Sequence, residues 1–182
     1  MNKLIQYSKE WASENTASNL QKLTNYLNQS TAHSLNLQDR IINMDKSMTW
    51  DLEELYVSDS FNIKLLMIPK GNKMPLHNHP GMTVLLKPLW GHFLISNYDW
   101  CEEFPFSGIA KQKSNTVVNG STLCATVSPD QNNIHQMIAL EDCAFIDVMS
   151  PPYNEEREIS YLNITKEFTH NGEDLVHFEI KN

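Results

Sequence analysis

The segment that decides the fold is MPLHNHPGM, residues 74–82. Its two histidines flank one residue in a stretch stiffened by prolines. In a β-strand, residues i and i+2 point to the same face, so His77 and His79 would project side by side. Pro75 and Pro80 limit the ways in which this segment can pair in a sheet. This spacing is typical of two adjacent ligands on one metal ion.

An H-x-H pair can also be an accident of the surface, so its surroundings matter. The spacing of Gly71, His77, His79, Val84 and Gly91 resembles that of the first cupin motif. A glutamate normally stands at the fourth of these positions. A third ligand can come from a later strand, and the run DQNNIHQMIAL supplies a strand-like candidate after a polar turn. These surroundings favour a metal site over a chance pair.

That third candidate is His135, which would complete a set of three neutral imidazoles. Val84 cannot bind a metal, so the charge of a divalent ion would stay uncompensated. Such a site favours an anionic ligand from the substrate, and a thiolate adds soft-donor affinity to its charge. Ordinary exposed or hydrogen-bonded imidazoles are predicted at the histidines without a partner at ligand spacing: His33, His92, His170 and His177.

Composition narrows the class of protein. The chain has 182 residues and a formal charge of −8, and it has no Lys/Arg run of the kind that nucleic-acid binding requires. It has neither an apolar run long enough for a membrane span nor the long apolar core of a secretory signal. Three separated cysteines argue against a disulfide framework and for a reducing compartment: Cys101, Cys124 and Cys143. We therefore expect a globular, soluble protein in the cytoplasm, with the nucleus as an alternative location.

The chain is predicted to be one domain, residues 1–182, with two regions of different character. Residues 1–45 lack Gly and Pro and are predicted to form two short helices with a break near Ser30-Thr31. Residues 47–182 alternate short β-prone runs with turns, which predicts an all-β barrel or sandwich. The predicted strands are Phe61–Ile68, Met82–Lys87, His92–Tyr98, Ser121–Val127, Ile134–Ala139, Cys143–Met149, Ile159–Ile164 and Leu175–Ile180.

Longer segments resemble the thiol dioxygenases of the cysteamine dioxygenase and plant cysteine oxidase family. They are PLHNHPGMTVLLKPLWGHFLISNYDW, NNIHQMIAL and AFIDVMSPPYNEEREISYL, in that order along the chain. The resemblance implies a cupin double-stranded β-helix and an Fe(II) site held by His77, His79 and His135. It implies addition of both atoms of O2 to a thiol, giving a sulfinate. The thiol would be an N-terminal cysteine of a peptide or protein, where oxidation can create an oxygen-dependent degradation signal, or cysteamine.

The resemblance also implies two further site residues. Asp147 would share a strand face with Phe145 and hold the substrate amine by a charge-assisted hydrogen bond. Tyr153, after Pro151-Pro152, would line the mouth of the site and hydrogen-bond near the iron. Relatives often carry a cysteine two residues before the tyrosine of REISYL, where this chain has Ile159. A Cys-Tyr cross-link is therefore not expected.

Other functions stay open at this point. A metal-binding cupin that senses or stores without turnover would keep the histidines but would not need Asp147. A cupin isomerase or hydrolytic enzyme with Zn or Mn would work without O2. Within the leading hypothesis, the segments that carry the ligands contain no arginine to hold the α-carboxylate of free cysteine, which favours peptides or cysteamine. We expect a monomer that does not bind nucleic acid or membranes.

Overall fold

The computed structural model describes residues 1–104 and 107–181. In these residues, three helices precede eleven strands. The helices are α1 (Asn2–Ser13), α2 (Ala17–Gln29) and α3 (Gln38–Ile42). The strands are β1 (Asp51–Val57), β2 (Asn62–Ile68), β3 (Lys73–Asn78), β4 (Thr83–Trp90), β5 (His92–Phe104), β6 (Ser107–Asn119), β7 (Ala125–Val127), β8 (Ile134–Ala139), β9 (Cys143–Ser150), β10 (Leu162–His170) and β11 (Glu173–Ile180).

The strands form two antiparallel sheets, in the orders β1-β2-β9-β4-β7 and β10-β11-β6-β5-β8-β3. Chain neighbours such as β3 and β4 lie in different sheets, so the chain crosses repeatedly from one sheet to the other. This is the predicted double-stranded β-helix with short N-terminal helices, and the predicted fold class is confirmed.

The central strands of the five-stranded sheet, β2, β9 and β4, are buried on both faces, which explains the continuous apolar run of β9. On its inner face Phe145 packs with Phe93 of the opposite sheet, at a ring-centroid distance of 5.3 Å. On its outer face Ile146 and Val148 join a cluster with the N-terminal helices, including Leu23 of α2. The inner face therefore closes the barrel, and the outer face receives the helices.

The N-terminal region differs from the prediction of two helices. The segment before Ser30 contains both α1 and α2, separated at residues 14–16. Thr16 caps α2, because its hydroxyl accepts a hydrogen bond from the Asn19 backbone N–H at 3.2 Å. This cap starts a new helix inside a stretch that has no glycine or proline to mark a break. Among the described residues, no helix has the length and apolar character needed to cross a membrane.

Several strand predictions need correction. The predicted strand Ser121–Val127 is real only over Ala125–Val127, because the side chains of Asn119 and Thr122 fold the preceding residues into a turn. Strands β1 and β6 were not predicted. The exposed half of β6 reads KQKSNT, which has too few apolar residues to show alternation, and pairing with β5 holds it in the sheet.

Candidate metal centre and cavity

Three buried histidines meet inside the barrel. His77 lies in β3, His79 follows directly after this strand, and His135 lies in β8. His77 and His135 are register partners in the β3–β8 pair, which sets their rings opposite each other. The ring centroids of the three pairs lie 4.7 to 5.0 Å apart. The structure thus brings together the three histidines named from the sequence.

Hydrogen bonds orient two of these rings. The Nδ1–H of His77 donates to the Pro75 carbonyl at 2.8 Å. The hydroxyl of Tyr153 lies 2.7 Å from Nδ1 of His79 and donates to the Asn78 carbonyl at 2.8 Å. Because the hydroxyl proton goes to that carbonyl, Nδ1 of His79 is the donor to the tyrosine oxygen. Both arrangements leave Nε2 as the bare nitrogen, which is the form that binds a metal.

The spacing and charge of the cluster fit one metal ion. Nε2 of His79 and Nε2 of His135 lie 3.0 Å apart. Two nitrogens bound at about 2.1 Å and at a right angle to each other would have a separation of about 3.0 Å. Burial lowers the pKa of His77 to about 4 and lowers the pKa of both other histidines. All three are therefore neutral at physiological pH, as ligands must be.

The cluster contains no carboxylate among the residues that the structure describes. Val84, at the position where cupins commonly carry glutamate, is buried in an apolar cluster with Met82, Val127 and Met149. The ligand set is therefore neutral, and the charge of a bound divalent ion would remain for a substrate anion to compensate.

A cavity of about 250 Å³ adjoins two of the histidines, His77 and His79. Asp147 of β9 lines it and is 3% exposed. Its Oδ1 has no hydrogen-bond partner within the described chain. Burial raises the pKa of Asp147 to about 7, and the nearby Lys64 opposes that shift. A buried carboxylate without a partner costs free energy, so this atom is prepared for a hydrogen-bond donor from a ligand.

Tyr153 lines the same cavity. Its hydroxyl is already engaged by His79 and by the Asn78 carbonyl, so its first effect is to position His79. Burial raises the pKa of Tyr153 above its ordinary value, and the hydroxyl therefore stays protonated. Tyr161 and Ile159 also line the cavity, and the Tyr161 ring lies 6.3 Å from the ring of His77. Ile159 has no thiol, so this position cannot take part in a Cys-Tyr cross-link.

Sequence reasoning missed the amides that hold the cluster together. The side-chain amide of Asn133 donates to the His79 carbonyl at 2.7 Å, and its Oδ1 accepts from the His79 N–H at 3.3 Å. This pair of bonds ties the loop before β8 to the end of β3. The Oδ1 of Asn78, between the first two histidines, accepts from the Ser160 N–H at 2.8 Å. Asn78 stands between two histidines of the cluster and Asn133 stands two positions before the third, which was the available sequence signal.

Asn132 shapes the backbone turn before His135. It adopts a φ of 54°. Glycine enters this left-handed region freely, and asparagine is among the few other residues that tolerate it. Asparagine therefore suits the turn that leads into β8.

A family model and several characterised proteins are similar to this chain. The family model described as PCO_ADO matches residues 16–179. Plant cysteine oxidase 1 of Arabidopsis thaliana is 36% identical over 104 residues, covering 54% of this chain and 36% of that protein. Human 2-aminoethanethiol dioxygenase is 26% identical over 178 residues, covering 80% of this chain and 65% of that protein. The matched segments therefore span less than two thirds of either relative.

Among solved structures, a double-stranded β-helix protein of Klebsiella pneumoniae matches with a TM-score of 0.49 at 12% identity. The match covers 68% of this chain and 91% of that chain.

Proposed function

This chain belongs to the PCO_ADO family, the thiol dioxygenases that include plant cysteine oxidases and 2-aminoethanethiol dioxygenases, and we propose that it oxidises the N-terminal cysteine of a peptide or protein to cysteine sulfinic acid. The observation that carries the proposal is the combination of three buried neutral imidazoles with an unpartnered carboxylate in the adjoining cavity. The first group suits a metal that takes a thiolate. The second suits the amine that accompanies the thiol in such substrates.

The proposed cofactor is Fe(II), held by His77, His79 and His135, and O2 is the co-substrate. When bound, the ion would coordinate the thiolate, lower the pKa of the thiol and activate dioxygen. The overall reaction converts R–SH and O2 into R–SO2⁻ and one proton. Sulfur loses four electrons and O2 accepts four, so no reductant or 2-oxoglutarate is required.

The residues around the site orient the substrate. Asp147 accepts a hydrogen bond from the substrate ammonium, which also favours the ionised form of this carboxyl group over the protonated one. Tyr153 keeps Nδ1 of His79 protonated, and the Pro75 carbonyl does the same for His77, so that Nε2 of each ring stays available. The apolar wall formed by Leu66, Met74 and Met149 limits the access of water to the reacting sulfur.

Cysteamine is the alternative substrate. Its thiol and amine are separated by the same two carbons as in cysteine, so the same contacts with the histidine cluster and Asp147 would hold it. A regulatory role, in which oxidation of an N-terminal cysteine reports on oxygen, follows only if a peptide is the substrate.

Mass spectrometry tests the proposal. Protein loaded with Fe(II) is incubated with a peptide carrying N-terminal cysteine, with cysteamine, and with the peptide acetylated at its amine. A parallel sample contains ¹⁸O2, and a control contains no oxygen. We expect two oxygen atoms to be added to the free-amine peptide, both from O2, and the acetylated peptide to react poorly. Absence of oxidation of either thiol by iron-loaded protein would contradict the proposal and favour a non-catalytic cupin.

A further inference from the structure

One charged residue of the cavity has no role in the chemistry described so far. Lys64 lies on β2, and its neighbour in the inward alternation is Leu66, which packs in the barrel interior. Its register partner on β9 is Asp147, and its register partner on β1 is Glu54. Lys64 and Asp147 both line the cavity. A cation and an anion therefore stand next to each other on one cavity wall.

The ammonium of Lys64 is poorly satisfied. Its side chain is only 16% exposed, and the distance from Nζ to Oε1 of Glu54 is 3.6 Å. That distance allows attraction but is too long for a hydrogen bond. The Glu54 side chain is 52% exposed, so water weakens the attraction further. In the described parts of the chain Nζ donates no hydrogen bond, and unlike Oδ1 of Asp147 it is not a fully buried atom, so its donors are open to a ligand.

The two charges together complement a particular kind of substrate. Directly opposed residues on paired antiparallel strands have Cβ atoms about 4.5–5.5 Å apart. Consider a thiol substrate whose ammonium is bound by Asp147. A carboxylate on its cysteine, or on the residue after the cysteine, would lie within reach of the flexible Lys64 side chain. Lys64 would repel a positively charged group at that place, so it would provide selectivity between substrates as well as affinity.

Building on the proposed thiol dioxygenase function, we propose that Lys64 binds a carboxylate carried by the substrate close to its amino group. This carboxylate has two possible sources. One is the α-carboxylate of free cysteine, and the other is the side chain of an acidic residue that follows an N-terminal cysteine. The sequence offered no arginine in the ligand segments for this purpose, and Lys64 lies outside them, on the strand before the histidine segment.

Matched substrate pairs test the proposal and separate the two sources. Free cysteine is compared with cysteinamide, and a peptide beginning Cys-Asp is compared with one beginning Cys-Asn. Cysteamine serves as the reference for a substrate with no carboxylate. For each, kcat/KM is measured by oxygen consumption and product mass, and binding is measured by calorimetry without oxygen. We expect a preference of about tenfold for the carboxylate member of at least one pair, the usual effect of a charge-assisted hydrogen bond.

Three variants assign that preference to the lysine. In Lys64→Met the ratio within the preferred pair should fall to about one, in turnover and in binding. Lys64→Arg should restore much of it. Lys73→Met makes the same change at an exposed lysine on β3 and should keep the wild-type ratio. Thermal unfolding and iron content verify that each variant is folded and loaded, and Lys64→Gln replaces the methionine variant if that protein does not fold.

Three results would overturn the inference while leaving the proposed function intact. The first is wild-type protein that oxidises thiols without preference in either pair. The second is a preference that persists in Lys64→Met. The third is a loss of turnover in Lys64→Met that is equal for cysteamine and for the carboxylate substrates, which would make Lys64 only a counter-ion for Asp147. If iron-loaded wild-type protein oxidises none of the thiols, the proposed function fails and this inference fails with it.

Discussion

The two faces of the five-stranded sheet each bury a charged residue, with opposite outcomes. On β4, Lys87 shares the outer face with Leu85, which packs in the cluster formed with the N-terminal helices. Its ammonium donates to the carbonyls of Thr122 at 2.6 Å and Gly120 at 3.1 Å. On the inner face of the adjacent strand, Asp147 has an oxygen without any partner in the described chain.

This contrast indicates that Lys87 has a structural role, whereas Asp147 is available to bind a ligand. Burial lowers the pKa of Lys87, but two carbonyls compensate its ammonium and hold the turn of residues 119–122 against the barrel. Oδ1 of Asp147 receives no hydrogen bond from the described residues, and the charge of Lys64 offsets its burial only in part. Another unpartnered buried side-chain atom, Nδ1 of His135, belongs to the histidine cluster itself. Unsatisfied polarity in this barrel is therefore concentrated at the proposed site.

The largest effect is expected from removing a proposed metal ligand. His135→Ala should weaken iron binding by more than about a hundredfold, above the 10- to 100-fold range typical of residues that only orient a ligand. Thiol oxidation should be lost with the iron. Metal analysis and oxygen consumption measure the two effects. His92→Ala is the matched control, because this exposed histidine bonds to Glu141 outside the cluster, and equal losses in both variants would rule out the proposed ligand.

Asp147→Asn tests the inner-face charge directly. The amide keeps the size of the side chain but cannot supply a charge-assisted hydrogen bond to the substrate ammonium. We expect kcat/KM to fall about 10- to 100-fold with iron content unchanged. Steady-state kinetics on an N-terminal cysteine peptide, with metal analysis of the same sample, provide the measurement. Unchanged kinetics would remove Asp147 from substrate binding.

Tyr153→Phe removes the hydroxyl that orients His79. The ring should still fill its place, while Nδ1 of His79 loses its partner at 2.7 Å. Iron affinity should therefore fall by about tenfold, with a smaller effect on folding. Competition with a chelator measures the affinity. Tyr161→Phe is the control on the same cavity wall. If it lowers iron affinity more than Tyr153→Phe does, Tyr153 is not the residue that orients the metal ligand.

The pH dependence of stability sharpens the contrast in metal-free protein. The pKa of Asp147 is about 7 when folded and about 3.8 when unfolded, so the folded state holds the extra proton between these values. This group therefore destabilises the fold as pH rises from 4 to 7. The unfolding free energy of Asp147→Asn, relative to wild type, should increase by at least about 1 kcal/mol over that range. Denaturant titrations at several pH values measure this difference in unfolding free energy. A difference that stays constant with pH would show that burial does not raise the pKa of Asp147.

The histidines act in the opposite direction in the same titration. The pKa of His77 is about 4 when folded against 6.5 unfolded, so it contributes stability above pH 6.5 that is lost as pH falls toward 4. The comparison between Asp147→Asn and wild type cancels this contribution, because both proteins keep the three histidines. For this reason the difference in unfolding free energy between the two proteins reports on Asp147, whereas the pH profile of either protein alone does not.

The smallest effect on oxidation is expected at the outer face. Lys87→Met keeps the apolar stem but leaves the carbonyls of Gly120 and Thr122 without their donor, which should cost about 1–3 kcal/mol of stability. At temperatures where the protein is folded, kcat/KM should change less than about threefold. Thermal unfolding and kinetics on the same samples measure both. A loss of turnover comparable with that of Asp147→Asn would remove the distinction between the two faces.

Much of the site was predictable, because its signals are short and local. The shared position of Phe145 and Asp147 on one face of β9 follows from the period of a strand. The same rule pointed to His77 and His79 as neighbours, although His79 lies just after the end of β3. Lys64 was missed for a physical reason, since a lysine within a strand is usually exposed. Here the chain closes a cavity around it.

By itself, the sequence determined the chemistry of the proposed ligands, the all-β class and the family, since these reside in residue types and local spacing. Only the tertiary structure decided that His135, 56 positions from His79, meets it within 3.0 Å. It alone also decided that, among the described residues, Oδ1 of Asp147 has no hydrogen-bond partner while the ammonium of Lys87 has two. The physical reason is that register, burial and hydrogen-bond satisfaction arise from pairing between distant strands, and no local pattern specifies which strands will meet.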